Sequence, residues 1–200
     1  GGSTSLEAVR LLAEALSDPE SQVREIAALA LIEFGAEARY ALPELIQAVQ
    51  DPSPLVRRRA IRAIAAVGPD ALTDALPSLI AATEDEEESV ALQAASTIGE
   101  FGTAAAAAAP ALISALWTGD VRKRAIAGAS LLRIGSAAVP GLIQSLTHPS
   151  PEVRGKATQL LGRLGGVAES AIPSLQNLLS DPDESVRGEA QQAIDAIIAG

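Results

Sequence analysis

A proline and a glycine recur along this chain at a nearly fixed distance. Pro43, Pro77, Pro110, Pro140 and Pro173 are spaced 34, 33, 30 and 33 residues apart, and the first four each precede a glycine by 25 residues: Gly68, Gly102, Gly135 and Gly165. Gly35 heads the series, with Arg10 where its proline would stand. A period of this length forces a repeat architecture, because a unit so small cannot bury a core alone and must stack on its neighbours. Six copies fill residues 6–200, with boundaries near 6–35, 36–68, 69–102, 103–135, 136–165 and 166–200, read as one repeat domain. Residues 1–5, opening on Gly1-Gly2-Ser3, look like a cloning remnant and not a signal peptide.

Each copy reads as two helices, so the fold class is all-α. After the proline, Leu45, Ile46 and Val49, or Leu142, Ile143 and Leu146, follow the i, i+3, i+4 spacing of one helical face. The second segment does the same with Val56, Ala60, Ala63, Ile64 and Val67, and again with Val153, Ala157, Leu160, Leu161 and Leu164. Asp18-Pro19, Asp51-Pro52 and Asp181-Pro182 mark the junction, where Asp is suited to the N-cap and Pro to the first helical position. Ser53-Pro54 and Ser150-Pro151 offer a rival start two residues later. The recurrent glycine is the C-terminal stop. The stretch before each proline varies in length and reads as an optional helical turn interrupted or kinked at the proline, and the alanine run Ala104 to Ala109 lies in that slot.

Composition narrows the chemistry. There is no Cys and one His, which removes disulfides and thiolate metal sites and leaves nothing with which to build a His-based metal centre or a catalytic triad. No catalytic, cofactor-binding or metal-ligating set is expected. With 15 basic against 25 acidic side chains, the net charge of −10 disfavours nucleic acid and anionic membranes as partners. No run approaches the 18 apolar residues of a membrane span, and the expectation is a soluble, cytoplasmic protein. Abundant alanine and Arg in excess of Lys point to a GC-rich bacterial source.

The Asp-Pro-x-x-x-Val-Arg turn, the Ala-x-x-Ala-Leu/Ile core and the terminal Ile/Val/Phe-Gly resemble the HEAT-repeat family, and within it the short HEAT-like repeats of the bilin (phycobilisome) lyases. The resemblance spans nearly the whole chain. It implies a right-handed α-solenoid, a superhelix of six two-helix repeats, whose second helices line a concave binding surface. Tetratricopeptide arrays share the period, but their Trp-Leu-Gly and Tyr signatures are missing, as are those of ankyrin repeats.

Arg24, Arg57, Arg124, Arg154 and Arg187 recur at one frame position, and Asp18, Asp51, Asp85 and Asp181 six residues earlier. In the family such residues form a ladder, each Arg bonding the turn of its own or the adjacent repeat. Three departures stand out: Ala91 in place of Arg, and Thr118 and His148 in place of Asp. In repeat four the distance of 25 from Pro110 to Gly135 favours Arg124 over Arg122 as the ladder residue, which puts Lys123 in the usual Val slot with its tip extended to water. Glu84-Asp85-Glu86-Glu87-Glu88 reads as dipole-stabilised carboxylates at a helix start, with a basic docking site or weak cation site as the rival. His148 reads as a surface turn residue, and Trp117 and Tyr40 as packing at a helix rim, with a binding anchor the alternative for each of the two aromatics.

The second helices alternate buried positions with a row of candidate concave residues: Ile26, Leu29 and Glu33; Arg59 and Arg62; Gln93, Ser96 and Glu100; Ile126 and Arg133; Lys156, Gln159 and Arg163; Glu189 and Gln192. Binding is assigned to Arg59, Arg62, Gln93, Arg133, Lys156, Gln159 and Arg163. This basic strip suits an acidic protein or peptide better than DNA, since single-strand binding would want aromatic platforms and aromatics make up only 2% of the chain. The expected function is a non-enzymatic scaffold for a protein or peptide. The alternatives are a bilin-lyase-like enzyme subunit, as the resemblance implies, and a nucleic-acid binder through the Arg strip. Terminal sets Leu6, Val9, Leu11, Leu12, Leu16 and Ala190, Ala193, Ile194, Ile197, Ile198 also suggest self-association through the end repeats.

Overall fold

The computed structural model describes residues 2–200. Gly1 and the side chains of Gly2 and Ser3 lie outside the described residues, and the cloning-remnant expectation for residues 1–5 rests partly on them. Twelve α-helices and no strand occur among the described residues. The first helices of the six repeats are α1 (Gly2–Ala15), α3 (Leu42–Ala48), α5 (Leu72–Ala82), α7 (Ala109–Thr118), α9 (Val139–Ser145) and α11 (Ile172–Asn177); the second helices are α2 (Ser21–Phe34), α4 (Pro54–Val67), α6 (Glu88–Glu100), α8 (Val121–Ile134), α10 (Pro151–Leu164) and α12 (Glu184–Ala199), numbered together in chain order. The chain forms two compact units, Gly1–Ala108 holding α1–α6 and Ala109–Gly200 holding α7–α12.

Every second helix begins three residues before the ladder position, so the frame read from the glycines holds in repeat four as well, where α8 starts at Val121 and Arg124 takes the ladder place. Gly35, Gly68, Gly102, Gly135 and Gly165, which follow the second helices of the first five repeats, all have positive φ between 53° and 86°, the left-handed conformation that side chains resist. The optional turns between glycine and proline are 3-10 helical: Gly35–Ala41, Pro69–Ala71, Gly102–Ala108, Gly135–Ala138 and Gly165–Ala171. Pro43, Pro110, Pro140 and Pro173 then sit in the second position of α3, α7, α9 and α11. There the missing N–H is an orphan in any case, so the break precedes the proline and is not caused by it. Only Pro77, six residues into α5, lies inside a helix.

The junction differs from the expected Asp N-cap. Ser53 and Ser150 hold the N-cap positions of α4 and α10 without a side-chain cap bond, while Asp18, Asp51, Asp85 and Asp181 stand two residues earlier and accept the backbone N–H of Glu20, Ser53, Glu87 and Asp183 at 2.8–2.9 Å. This is an Asx turn: a carboxylate folds the chain into the helix entry and keeps its second oxygen free for another donor.

Each unit has its own apolar centre. Leu31, Leu45, Ile61, Ile64, Leu79 and Ile98 are fully buried in the first, and Leu112, Leu116, Leu131, Ile134, Leu142 and Leu160 in the second. Burying each such side chain is worth about 1.5–3 kcal/mol. Alanines such as Ala27, Ala60, Ala63, Ala94 and Ala157 fill the contact positions between them, and small side chains let neighbouring helices approach closely. One continuous helical stretch, Val121–Ser145, reaches a mean hydropathy of 1.5, high enough by composition alone for a membrane span. It is α8, a 3-10 turn and α9, broken at Gly135 (φ 72°), and α8 at 14 residues is about 21 Å long, short of the ~30 Å hydrocarbon core.

Candidate functional site

The recurrent Arg and Asp meet between repeats. Arg24 donates from Nε and Nη2 to the two oxygens of Asp51 at 2.6 and 2.9 Å, and from Nη1 to the backbone carbonyls of Asp18 and Pro19. Arg57 grips Asp85 at 2.8 and 2.7 Å, and Arg154 grips Asp181 at 2.7 and 2.7 Å, each also holding the two carbonyls of its own turn. Arg187 bonds only the carbonyls of Asp181 and Pro182. Fork-to-fork pairing of a guanidinium with a carboxylate is the strongest hydrogen-bonded ion pair available to side chains. Burial pushes the Asp51 carboxyl up, but the Arg24 hydrogen bond, the Ser53 amide and the neighbouring guanidinium charges outweigh it and hold Asp51 below its ordinary value. The Arg154 hydrogen bond, against burial, does the same for Asp181. Five equal groups engaged with backbone and with one another are structural, and no ligand is needed to explain them.

The candidate binding row is open to solvent. In unit one Ile26, Leu29, Glu33, Arg62 and Glu100 are exposed and Arg59, Gln93 and Ser96 half-buried; in unit two Arg133, Lys156, Gln159, Arg163 and Gln192 are exposed and Ile126 and Glu189 half-buried. The row is not uniformly free. Arg59 pairs with Glu25 at 2.8 Å and donates to its carbonyl, Gln93 donates to Thr97, and Gln159 donates to Glu189 at 2.7 Å. Arg62, Arg133, Lys156 and Arg163 have no carboxylate partner among the described residues. Basic and acidic side chains are distributed unevenly behind this face: residues 1–108 carry 7 against 17, and residues 109–200 carry 8 against 8.

Unit two also holds an open groove of about 950 Å³ that the sequence reading did not locate. Its walls are the end of α7 (Leu116, Trp117, Thr118), the start of α8 (Val121, Arg124, Ala125), the first half of α10 (Pro151 to Gln159) and Val186 and Glu189 of α12, with His148 at the rim. Repeat four departs from the common frame beside this groove. Only Gly119 and Asp120 connect α7 to α8, and a side chain at Gly119 would lie 2.6 Å from the Ala115 carbonyl and 2.7 Å from Lys123 Cβ, so the connection needs glycine. Lys123 stands in the slot that valine fills in the other five repeats, buried at Val56, Val90, Val153 and Val186 and exposed at Val23. Val121 is left 85% exposed. His148 offers no carboxylate, and Arg124 donates instead to the Gly119 carbonyl and to Glu152, a pair 41% and 76% exposed. The visible signal is the clustering of three departures from the frame, at Thr118, Lys123 and His148. Trp117, expected at a helix rim, is half-buried in the groove wall.

The other singled-out residues are placed as follows. Asp85 of the acidic run is committed to Arg57 and to the Glu87 amide, while Glu84, Glu86, Glu87 and Glu88 are exposed; no group of three or more His, Asp and Glu among the described residues is placed to hold a metal ion. Tyr40 is 52% exposed, with the Arg39 guanidinium 5.0 Å from its ring centre and donating to its hydroxyl. In the terminal sets, Val9, Leu16, Ala190, Ala193, Ile194 and Ile197 are buried, and Leu11 (61%) and Ile198 (70%) are strongly exposed.

Paired helices in six copies, with Arg-Asp rungs between neighbouring copies within each unit, define a helical repeat protein of the α-solenoid class. The family model described as HEAT repeats matches residues 42–131 and 109–195, and the chain belongs to the HEAT-repeat family. Among solved structures, an engineered protein is similar at 23% identity over 96% of this chain and 96% of that one (TM-score 0.63). A designed armadillo repeat protein in complex with the peptide (KR)4 is similar at 22% over 94% and 98% (TM-score 0.61). The complex of CpcE and CpcF of phycocyanin lyase from Nostoc sp. PCC7120 is similar at 25% over 94% and 76% (TM-score 0.58). The comparison with curated proteins found no match.

Proposed function

We propose that this chain is a non-enzymatic scaffold that holds an acidic protein or peptide on the second-helix face of its units. One observation carries the reading: Arg62, Arg133, Lys156 and Arg163 project from the exposed rows of α4, α8 and α10 without carboxylate partners, while the ladder arginines are consumed by the fold. Unpaired cations on a repeat surface attract acidic segments and steer them on approach. The similar designed protein bound to (KR)4 supports peptide binding as a use of such a scaffold. Arg59 and Gln159 contribute as second contacts once freed from Glu25 and Glu189, and Gln93 as a neutral donor. A second reading is favoured by the phycocyanin lyase likeness: the chain as one component of an enzyme complex, in which the same face docks the other subunit.

The test is fluorescence anisotropy with a labelled octa-glutamate peptide and a labelled octa-lysine peptide at low salt. Octa-glutamate is expected to bind saturably, and the triple variant R62E/R133E/R163E to weaken it at least tenfold with an unchanged helical circular-dichroism spectrum. Preference for octa-lysine, or indifference to the triple variant, overturns the proposal.

A further inference from the structure

We infer that the groove between α7, α8, α10 and α12 is a binding site for a short extended peptide that carries a bulky apolar side chain next to acidic ones. The inference rests on the proposed scaffold role and narrows it to one site and one ligand chemistry. The floor is apolar: Trp117, Val121, Val153 and Val186 face the same open space, and at about 950 Å³ it is within the size range of ligand pockets. Val121 at 85% exposure is an apolar side chain held in water at the groove's edge, and a ligand side chain laid across it and Trp117 would remove both from solvent.

The charge of the ligand follows from which groove groups are already engaged and which is exposed without a partner. Glu152 is bonded to Arg124 at 2.6 Å. Asp183 caps α12 by accepting from Ser185 and Val186. Glu189 lies against α10, with Oε1 taking the Gln159 amide and Oε2 buried beside Gly155 without a hydrogen-bond partner. Gly155, with no side chain, leaves room for the Glu189 carboxylate to rest against α10 at the groove wall. Lys156, one residue on, is exposed and has no carboxylate partner. Among the charged side chains of the groove wall Lys156 is the exposed one without a partner, and the charge it offers an occupant is positive. The start of α10, where Ser150 makes no side-chain cap, opens on the same space and adds its partial positive charge. An apolar anchor on Trp117 and a carboxylate at Lys156 complement both halves of this surface.

Trp117 is the only tryptophan in the chain, so its emission reports directly on the site. The probe is a blocked pentapeptide of glutamate with a central phenylalanine, compared with one whose centre is alanine and one whose glutamates are lysines. The phenylalanine-glutamate peptide is expected to shift and saturate the emission, and the other two to bind at least tenfold more weakly. K156E and V121E, both at exposed positions that leave folding intact, should each lower affinity at least tenfold, whereas R10E, at an exposed position of the other unit outside the candidate row, should leave it unchanged. No emission change at millimolar peptide, or equal response to the alanine or lysine peptides, overturns the inference. If octa-glutamate binding depends on R62E/R133E/R163E while Trp117 stays silent, the general face stands and this groove falls. If Trp117 responds while octa-glutamate binding ignores the triple variant, the groove stands and the wider reading falls.

Discussion

Arg57 and Arg124 occupy the same place in the repeating pattern, yet they live in different surroundings. Arg57 is clamped between repeats two and three, its side chain 9% exposed against Asp85 at 11%; Arg124 reaches across repeats four and five to Glu152 in a pair 41% and 76% exposed. The guanidinium is unchanged and the acceptor differs. Where the next repeat supplies an Asp two residues before the N-cap, one carboxylate folds its own turn and receives both arms of the incoming Arg. Where it supplies His148, the ring nitrogen still takes the Ser150 amide at 3.1 Å, but nothing is left for the Arg. The rung stays open to solvent, and the groove lies beside it. The ladder is therefore a property of pairs of repeats, and losing one member changes both.

The largest effect expected from this contrast is the loss of a clamped rung. R57A leaves Asp85 part-buried without its partner and frees the carbonyls of Asp51 and Pro52, and breaking such a buried pair costs about 3 kcal/mol or more. R124A removes an exposed pair and should cost about 1 kcal/mol or less. Urea unfolding of the two variants, followed by hydrogen exchange of α4 and α8, measures both. Equal losses would break the comparison and show that the carbonyl contacts, common to both arginines, carry the rung.

Acid separates the rungs next. Asp51 and Asp181 have folded values below their unfolded value of about 3.9, so their contribution is complete above that pH and is lost as pH falls through the lower folded value. Stability should therefore drop steeply below about pH 4, and D51N and D181N should each flatten that drop while lowering stability at neutral pH. Titration of the two carboxyls by carbon-detected NMR checks the direction. A midpoint at or above the ordinary Asp value for either one would contradict its role as a clamped acceptor.

Much of this is legible in the chain itself. The proline–glycine period and the Val-Arg turn locate all twelve helices, because helix stops and amphipathic faces are local chemistry. Spacing assigns Arg124 over Arg122, and the bonds of Arg124 to Gly119 and Glu152 agree. The expected N-caps miss by two residues, since an Asp that folds an Asx turn and an Asp that caps a helix leave the same trace in sequence; only the receiving Arg from the previous repeat tells them apart. The groove is not legible. The departures beside it are visible, but the space between α7, α8, α10 and α12 is a packing volume, which periodicity does not measure. Equally, Arg62 and Arg59 look alike in the row, and only the proximity of Glu25 separates a free cation from a paired one.

The smallest effect is also the one that separates two causes of the exposed rung. Arg124 is diverted either by its acceptor, His148, or by its own entry, since two residues join α7 to α8 where five join α1 to α2, α3 to α4, α5 to α6 and α9 to α10. H148D restores the acceptor and leaves the entry untouched. The carboxylate can keep the Ser150 amide as Asp51 keeps Ser53, and it offers its other oxygen to the guanidinium that now bonds Glu152. If the acceptor governs, Arg124 moves inward, the pair becomes part-buried, and stability rises by about 0.5–1 kcal/mol, the upper range for a partly exposed ion pair. The introduced carboxyl should also titrate below about 3.9, as that of Asp51 does in the same frame position. A urea midpoint that stays level, with the introduced carboxyl titrating in the ordinary range, would mean that the short Gly119-Asp120 connection holds Arg124 out of reach, and that repeat four is set apart by its entry and not by the residue it faces.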